Sequence, residues 1–321
     1  MAVYTEVSDA DLARFLADYD LGRVLALKGI AEGVENSNYF LHAERGYFIL
    51  TLYEKRVDEK DLPFFLALME HLAARGVNCP HPVKNKHGSA LGRIADRPAA
   101  LVTFLEGMWR RNPSVRSCAA AGGALGALHC AGADFPLSRD NSMGLESWRS
   151  LFEEARPRSG ELQPGLADEI AKELAFLNAN WPQHLPRGII HADLFPDNVL
   201  FLDDQVSGLI DFYFACTDQL AYDLAICLNA WCFEPDGSYN LTKGLALLGA
   251  YERIRKMSAV EAEAFLILAR GAALRFALTR LVDWLNVPAN ALVHPKDPRE
   301  YIKKLRFHQQ AKSIRELGLL R

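Results

Sequence analysis

The stretch from His191 to Phe212 restricts this chain more than any other part of it. It reads His191-Ala192-Asp193-Leu194-Phe195-Pro196-Asp197-Asn198, then the apolar run Val199-Leu200-Phe201-Leu202 and a polar turn at Asp203-Asp204-Gln205. A second short run from Val206 to Ile210 leads into Asp211-Phe212. Two apolar segments joined by a tight polar turn make a β-hairpin, and its open end brings Asn198 beside Asp211. Magnesium takes oxygen ligands and keeps several waters, so an amide oxygen, a carboxylate and nucleotide phosphates complete its shell. Asp193 is then placed to accept or orient a substrate hydroxyl. Phosphoryl transfer asks little else of a protein, because positioning and charge stabilisation carry most of its catalysis.

Isolated H-x-D and I-D-F strings are common and often mark only a helix start or an acidic turn. Here four residue types stand in a fixed order around a hairpin, which is the frame H-R-D-x-x-x-x-N followed by D-F-G of the protein kinases. His191 reads as support for the catalytic loop through hydrogen bonds. Asp223, in Tyr222-Asp223-Leu224-Ala225, reads as a brace from the helix behind it.

The chain before this stretch suits a small nucleotide-binding lobe. Ser8-Asp9-Ala10-Asp11 is a helix N-cap followed by Leu12, Phe15 and Leu16 on one face. Strands follow at Val24 to Leu27, Tyr39 to Leu41 and Tyr47 to Tyr53, then a helix from about Asp58 to Arg75 ending at Gly76. Between the first two strands lies Gly29-Ile30-Ala31-Glu32-Gly33-Val34-Glu35-Asn36-Ser37-Asn38, where Gly29 and Gly33 let the backbone fold closely over phosphates and Asn36 and Ser37 add polar groups. A glycine-bearing hairpin turn alone has the same appearance. Gly88 to Ile94 reads as a hairpin arm, and Ala99 to Leu105 as an apolar strand leading to a hinge whose backbone can read an adenine edge. The lobe boundary falls near Leu105 to Gly107, giving a nucleotide lobe over 1–106 and a catalytic and substrate lobe over 107–321.

Beyond Pro113 the period is helical. Ala119 to His129 carries Gly122, Gly123 and Gly126 for close helix packing, with His129 read as a core histidine; further helices are expected at Gly165 to Asn180, Asp218 to Cys232, Ser258 to Leu285 and Pro298 to Leu317. The 321 residues are half apolar, with no membrane-length apolar run and no basic, apolar N-terminal leader, so a soluble, unexported, cytoplasmic protein is expected. A net charge of −4 gives no reason to expect nucleic acid or membrane as a partner. The six cysteines form no C-x-x-C pair and read as buried, reduced thiols.

With these pieces in place, the chain resembles the aminoglycoside phosphotransferase and choline kinase superfamily, and within it the kinase-fold homoserine kinase family of bacteria. The residues that carry the likeness are Gly29 to Phe40, Phe48 to Glu54, Leu125 to His129, His191 to Asn198, Ile210 to Phe212 and Tyr222 to Ala225. The resemblance implies an α+β, bilobal, protein-kinase-like fold, with ATP and Mg²⁺ as cofactors and L-homoserine as the small-molecule acceptor, phosphorylated on its hydroxyl in a step towards threonine. Kinase-like third strands carry a lysine or arginine for the α/β-phosphates. Here Thr51 stands in its place, and Lys55, Arg56 or Lys28 are the candidates to replace the charge. An acceptor with an ammonium and a carboxylate needs both an acid and a basic or amide donor. Arg280, Asp283 and Trp284 lie on one face of the Ser258 to Leu285 helix, with Arg275 about one turn before, and are the candidate acceptor pocket; a surface ion pair beside a half-buried tryptophan has the same pattern. Two rival functions remain: a kinase of the same fold for choline, methylthioribose, hydroxylysine or an aminoglycoside, and a catalytically silent nucleotide-binding module.

Overall fold

The computed structural model describes residues 5–30, 36–54, 58–287 and 295–319. The opening helix forms as α1 (Asp9–Leu16), and Ser8 caps it by accepting the Asp11 N–H at 3.1 Å. There follow β1 (Val24–Gly29), β2 (Ser37–Ala43), β3 (Gly46–Leu52), α2 (Leu62–Ala74), β4 (Gly92–Ile94) and β5 (Arg97–Thr103). A 3₁₀ turn over Glu59–Asp61 leads into α2, and Gly76 leaves it in the left-handed region at φ 83°. The five strands form one antiparallel sheet in the order β1-β2-β3-β5-β4. The sequence placed residues 29–38 in one loop. Pairing instead keeps Gly29 in β1, opposite Tyr39, and Ser37 and Asn38 in β2, opposite Leu52 and Thr51.

Side chains alternate across this sheet. Tyr39, Leu41, Leu50, Leu52, Ala99 and Leu101 point to an outer core closed by Leu12 and Phe15 of α1. Leu41 and Leu50 are fully buried there, each contributing about 1.5–3 kcal/mol by leaving water. The opposite face carries Asn38, Phe40, Ile49, Thr51, Ala100 and Val102, and Ala100 and Val102 join the main core of the helical half. That inner face is the one turned towards the His191 to Asp211 stretch.

The remainder runs α3 (Val115–Ala131), α4 (Leu145–Ala155), α5 (Leu166–Asn180), β6 (Arg187–Ile190), β7 (Val199–Leu202), β8 (Gln205–Leu209), β9 (Cys216–Gln219), α6 (Leu220–Trp231), α7 (Leu241–Ile254), α8 (Ala259–Leu285) and α9 (Pro298–Gln310). Neither α4 nor α7 was anticipated, nor was the antiparallel pair β6–β9. That pair corrects the expected helix from Asp218: residues 216–219 are strand, and the helix starts at Leu220 where the apolar run begins. The expected last helix also divides, because α9 stops at Gln310 and a 3₁₀ turn over Ile314–Leu317 follows. Gly122 explains the α3–α7 contact, since a Cβ there would lie 2.2 Å from the Leu247 carbonyl oxygen; at Gly123 nothing lies within 4 Å, so it makes no such approach. Cys130 is exposed, whereas the other five cysteines are buried free thiols. Among the described residues no helix is long and apolar enough to cross a membrane.

Candidate active site

The β7–β8 hairpin forms as its spacing requires, with Val199 opposite Leu209, and the Ile210 N–H donates to the Asn198 carbonyl at 3.0 Å. Asn198 and Asp211 thus flank the open end. Asn198 is buried, and its Nδ2 donates to the Asp193 carbonyl at 2.8 Å and to Asp193 Oδ2 at 3.2 Å. This commits the amide nitrogen to Asp193 and leaves Oδ1 as the oxygen that can meet a cation. Asp193 is half-buried and Asp211 exposed. Burial pushes the Asp193 carboxyl well above the usual carboxylate range; the neighbouring Asp211 pushes it the same way, while Arg275 opposes both. The three predicted residues therefore share one place.

The catalytic loop is held from behind by buried groups. Asp223 lies on α6 with no exposure, and it accepts the His191 N–H on Oδ2 at 2.7 Å and the Ala192 N–H on Oδ1 at 2.8 Å. His129 Nε2 sits 3.1 Å from Asp223 Oδ2, and Tyr251 Oη lies 2.8 Å from His129 Nδ1. Burial raises the Asp223 carboxyl, but the His129 hydrogen bond and the His129 and His191 rings outweigh it and leave it below the usual range. His191 is buried with Nε2 3.0 Å from the Ile210 carbonyl, which ties the loop to the strand that delivers Asp211. Burial lowers its ring below the ordinary histidine range.

Ala192 and Asp211 both adopt left-handed backbone, at φ 62° and 65°. Such a conformation costs a non-glycine residue roughly 1–2 kcal/mol and persists only where the surroundings hold it. At Ala192 the restraint is visible: its N–H goes to Asp223, and its carbonyl accepts from Arg275 Nη1 at 2.7 Å. Trp231, two turns along α6 from Asp223, donates Nε1 to the Leu194 carbonyl at 2.8 Å.

Arg275 therefore leaves the expected acceptor pocket. It is 2 % exposed, its guanidinium lies on Ala192 and near the Phe214 and Phe276 rings, and it acts on the loop. Of the other three members, two are engaged with α9 and the third is exposed. Arg280 pairs with Glu300 of α9 at 2.6 Å, Trp284 lies 5.7 Å under the Arg299 guanidinium, and Asp283 is exposed.

On the nucleotide side, Gly29 ends β1, and Gly33 and Lys55 lie outside the described residues. Asn36 and Ser37 are buried: Asn36 Oδ1 accepts the Glu54 N–H at 3.3 Å, and Ser37 Oγ donates to Glu54 Oε1 at 2.7 Å. Both side chains thus brace the β2–β3 edge, which corrects the expectation that they face phosphate. Thr51 is buried and donates to Asn38 Oδ1 at 2.8 Å. Tyr213, two residues after Asp211, has its hydroxyl 3.3 Å from the Tyr53 hydroxyl. A neutral network joins β3 to the Asp211 segment where a strand lysine and helix glutamate would stand. The α2 region offers no glutamate for such a pair: Glu59 meets Arg93 and Glu70 meets Lys84, all at the surface.

The sequence reading also passed over Phe40 and Ile49, an apolar roof on the sheet's inner face, with Phe104 edge-on to Phe40 at 5.3 Å. At the junction beneath it, Gly107 has φ 138°, and a Cβ there would lie 2.2 Å from Ser207 Oγ. Only glycine allows the chain to pass so close to the hairpin before Met108 pairs with Phe201.

Comparison with known proteins agrees with this geometry. The profile of the Phosphotransferase enzyme family matches residues 26–257. A homoserine kinase of Beijerinckia indica is 65 % identical over 321 residues, covering 100 % of both chains. Among solved structures, a spectinomycin phosphotransferase in complex with ADP and spectinomycin superposes with TM-score 0.68 at 12 % identity, over 98 % of each chain. An amicoumacin kinase in complex with AMP-PNP and Ca²⁺ gives 0.67 at 14 % identity, over 94 % of this chain and 92 % of its own. These two share the fold, a β-rich N-terminal part and a helical C-terminal part of protein-kinase-like form. The chain belongs to the phosphotransferase enzyme family, with homoserine kinases as its full-length relatives.

Proposed function

We infer that the chain is an ATP-dependent homoserine kinase, transferring the γ-phosphoryl group to the hydroxyl of L-homoserine to give O-phospho-L-homoserine and ADP. The observation that carries this is the meeting of Asp193, Asn198 and Asp211 at one point in a chain that matches homoserine kinases from end to end. The enzyme is cytoplasmic and serves threonine biosynthesis.

The nucleotide lobe runs to Glu106 and the catalytic lobe begins at Gly107. ATP lies between them, its adenine under Phe40 and Ile49 and against the backbone of Leu105 to Gly107. Asn198 Oδ1 and the Asp211 carboxylate hold Mg²⁺. They are hard oxygen donors, suited to the ion but too few to keep it without phosphate oxygens, so metal and nucleotide bind together. Magnesium held by these two residues would supply positive charge to offset that of the transferring group.

Asp193 receives the acceptor hydroxyl. Burial and, after it, the charge of Asp211 raise the Asp193 carboxyl, and a cation held at Asp211 would offset the second of these causes. Asn198 Nδ2 holds the carboxyl by one oxygen and leaves the other for the hydroxyl proton. Asp223, His191, Trp231 and Arg275 do not touch substrate; they fix the loop. A coupled ADP-release assay over a panel of amino alcohols and sugars tests the reading. Homoserine is expected to give the highest kcat/KM, and choline, methylthioribose, hydroxylysine or an aminoglycoside doing better would overturn the acceptor.

A further inference from the structure

Homoserine carries its ammonium and carboxylate on one carbon, with two methylenes between that carbon and the hydroxyl. Selecting it means meeting both charges beside Asp193. Among the charged side chains that act on Asp193 are Asp211, Arg275, Asp197 and Lys296. Asp211 belongs to the metal, and Arg275 is buried with its guanidinium on the Ala192 carbonyl. The remaining two face solvent, with side chains 46 % and 62 % exposed, and form an ion pair of 3.3 Å between Lys296 Nζ and Asp197 Oδ2.

Both are fastened to the catalytic loop. Asp197 sits in the 3₁₀ turn Pro196–Asn198, next to the residue that holds Asp193. Lys296, just before α9, places its ammonium 5.4 Å from the centre of the Phe195 ring. Other cations on the α8–α9 seam are committed: Arg280 and Lys304 share Glu300, each at 2.6 Å, and Arg299 is on Asp297 at 3.2 Å.

On these contacts, and resting on homoserine as the acceptor, we propose that Asp197 and Lys296 form the clamp for its amino-acid end: Asp197 takes the ammonium, Lys296 takes the carboxylate, and their ion pair opens to admit the zwitterion. An exposed pair contributes little stability by itself. Exchanging it for a ligand with the complementary charges therefore sacrifices little.

The test is kcat/KM, or the inhibition constant where turnover is too slow, for three acceptors: homoserine, homoserinol (ammonium without carboxylate) and 4-hydroxybutanoate (carboxylate without ammonium). Lys296→Met is expected to lose roughly ten- to a hundredfold on homoserine, the range for a charged hydrogen bond, and to stay near wild type on homoserinol. Lys296→Arg restores most of the loss. Asp197→Asn is expected to lose a similar factor on both ammonium-bearing acceptors while keeping its activity on 4-hydroxybutanoate. The analogue that lacks the relevant charge controls for folding in the same sample. Equal losses on all three acceptors, or none, overturn the clamp while leaving the homoserine reading intact. A wild-type enzyme inert towards homoserine overturns both.

Discussion

The two sides of the proposed cleft solve the same electrostatic problem by opposite means. On the catalytic side the loop from His191 to Asn198 is fixed by buried side chains, two of them charged: Asp223 holds two N–H groups, Arg275 a carbonyl, and the neutral Trp231 indole another carbonyl. On the nucleotide side, the inner face of β3 offers the neutral Thr51, bonded to Asn38, where related folds place a cation. The contrast teaches where precision is needed. The loop that carries Asp193 is wired into the core, whereas the inner face of β3 brings no charged side chain to the cleft.

The comparison can be broken by substitution. Asp223→Ala leaves two backbone donors and His129 without their carboxylate in a dry site, and each buried group left unpaired costs about 1–3 kcal/mol. Chemical denaturation should show this, together with a fall in kcat; an unchanged midpoint would mean the loop does not depend on its brace. Asp211→Asn should weaken Mg²⁺-dependent nucleotide binding by at least the roughly 10–100-fold that follows loss of an outer-sphere metal partner. Titration calorimetry with and without magnesium measures it, and an unchanged metal requirement counts against Asp211.

Asp193→Asn should make the free protein more heat-stable, and the pH dependence gives the sign. A carboxyl whose folded pKa is raised binds its proton more tightly in the folded than in the unfolded state, so stability falls as pH rises from about 3.9, the ordinary aspartate value, to the raised one. The variant lacks that loss. Its advantage in melting temperature should be absent below the ordinary value and grow as pH rises; a constant difference would refute the elevated pKa of Asp193.

Thr51→Val removes a hydroxyl but no charge. Its effect on the KM for ATP should stay within about tenfold, the usual limit for a neutral hydrogen bond; a larger loss would make Thr51 the phosphate anchor. Smallest of all, Ala192→Gly relieves the left-handed backbone and should leave activity intact while adding up to about 1–2 kcal/mol of stability.

How much was legible in the sequence follows from distance along the chain. The hairpin, the cap at Ser8, and the meeting of Asn198 with Asp211 depend on neighbouring residues and could be read directly. Arg275 reaches Ala192 across 83 residues, and no local pattern announces that contact. The candidate pocket joins Arg275 to the Arg280, Asp283 and Trp284 face that follows it by about one turn, while the Arg275 side chain is committed to the core. Strands β6 and β9 have four residues each and pair across the whole catalytic hairpin, too short for period to mark them. Helix α4 is different, since Leu145, Trp148, Phe152 and Ala155 carry a helical period that a reading from the motifs outward passes over. Ser37 and Asn36 look like loop polar groups until the β2–β3 register turns them towards Glu54.

The most direct test of the catalytic centre is transfer from ATP to homoserine by Asp193→Asn, with MgATP affinity measured on the same sample. The predicted result is a kcat lowered roughly 10²–10⁴-fold, the range for a lost general base, with nucleotide affinity close to wild type. Wild-type turnover, or a loss explained entirely by weaker MgATP binding, would contradict the assignment.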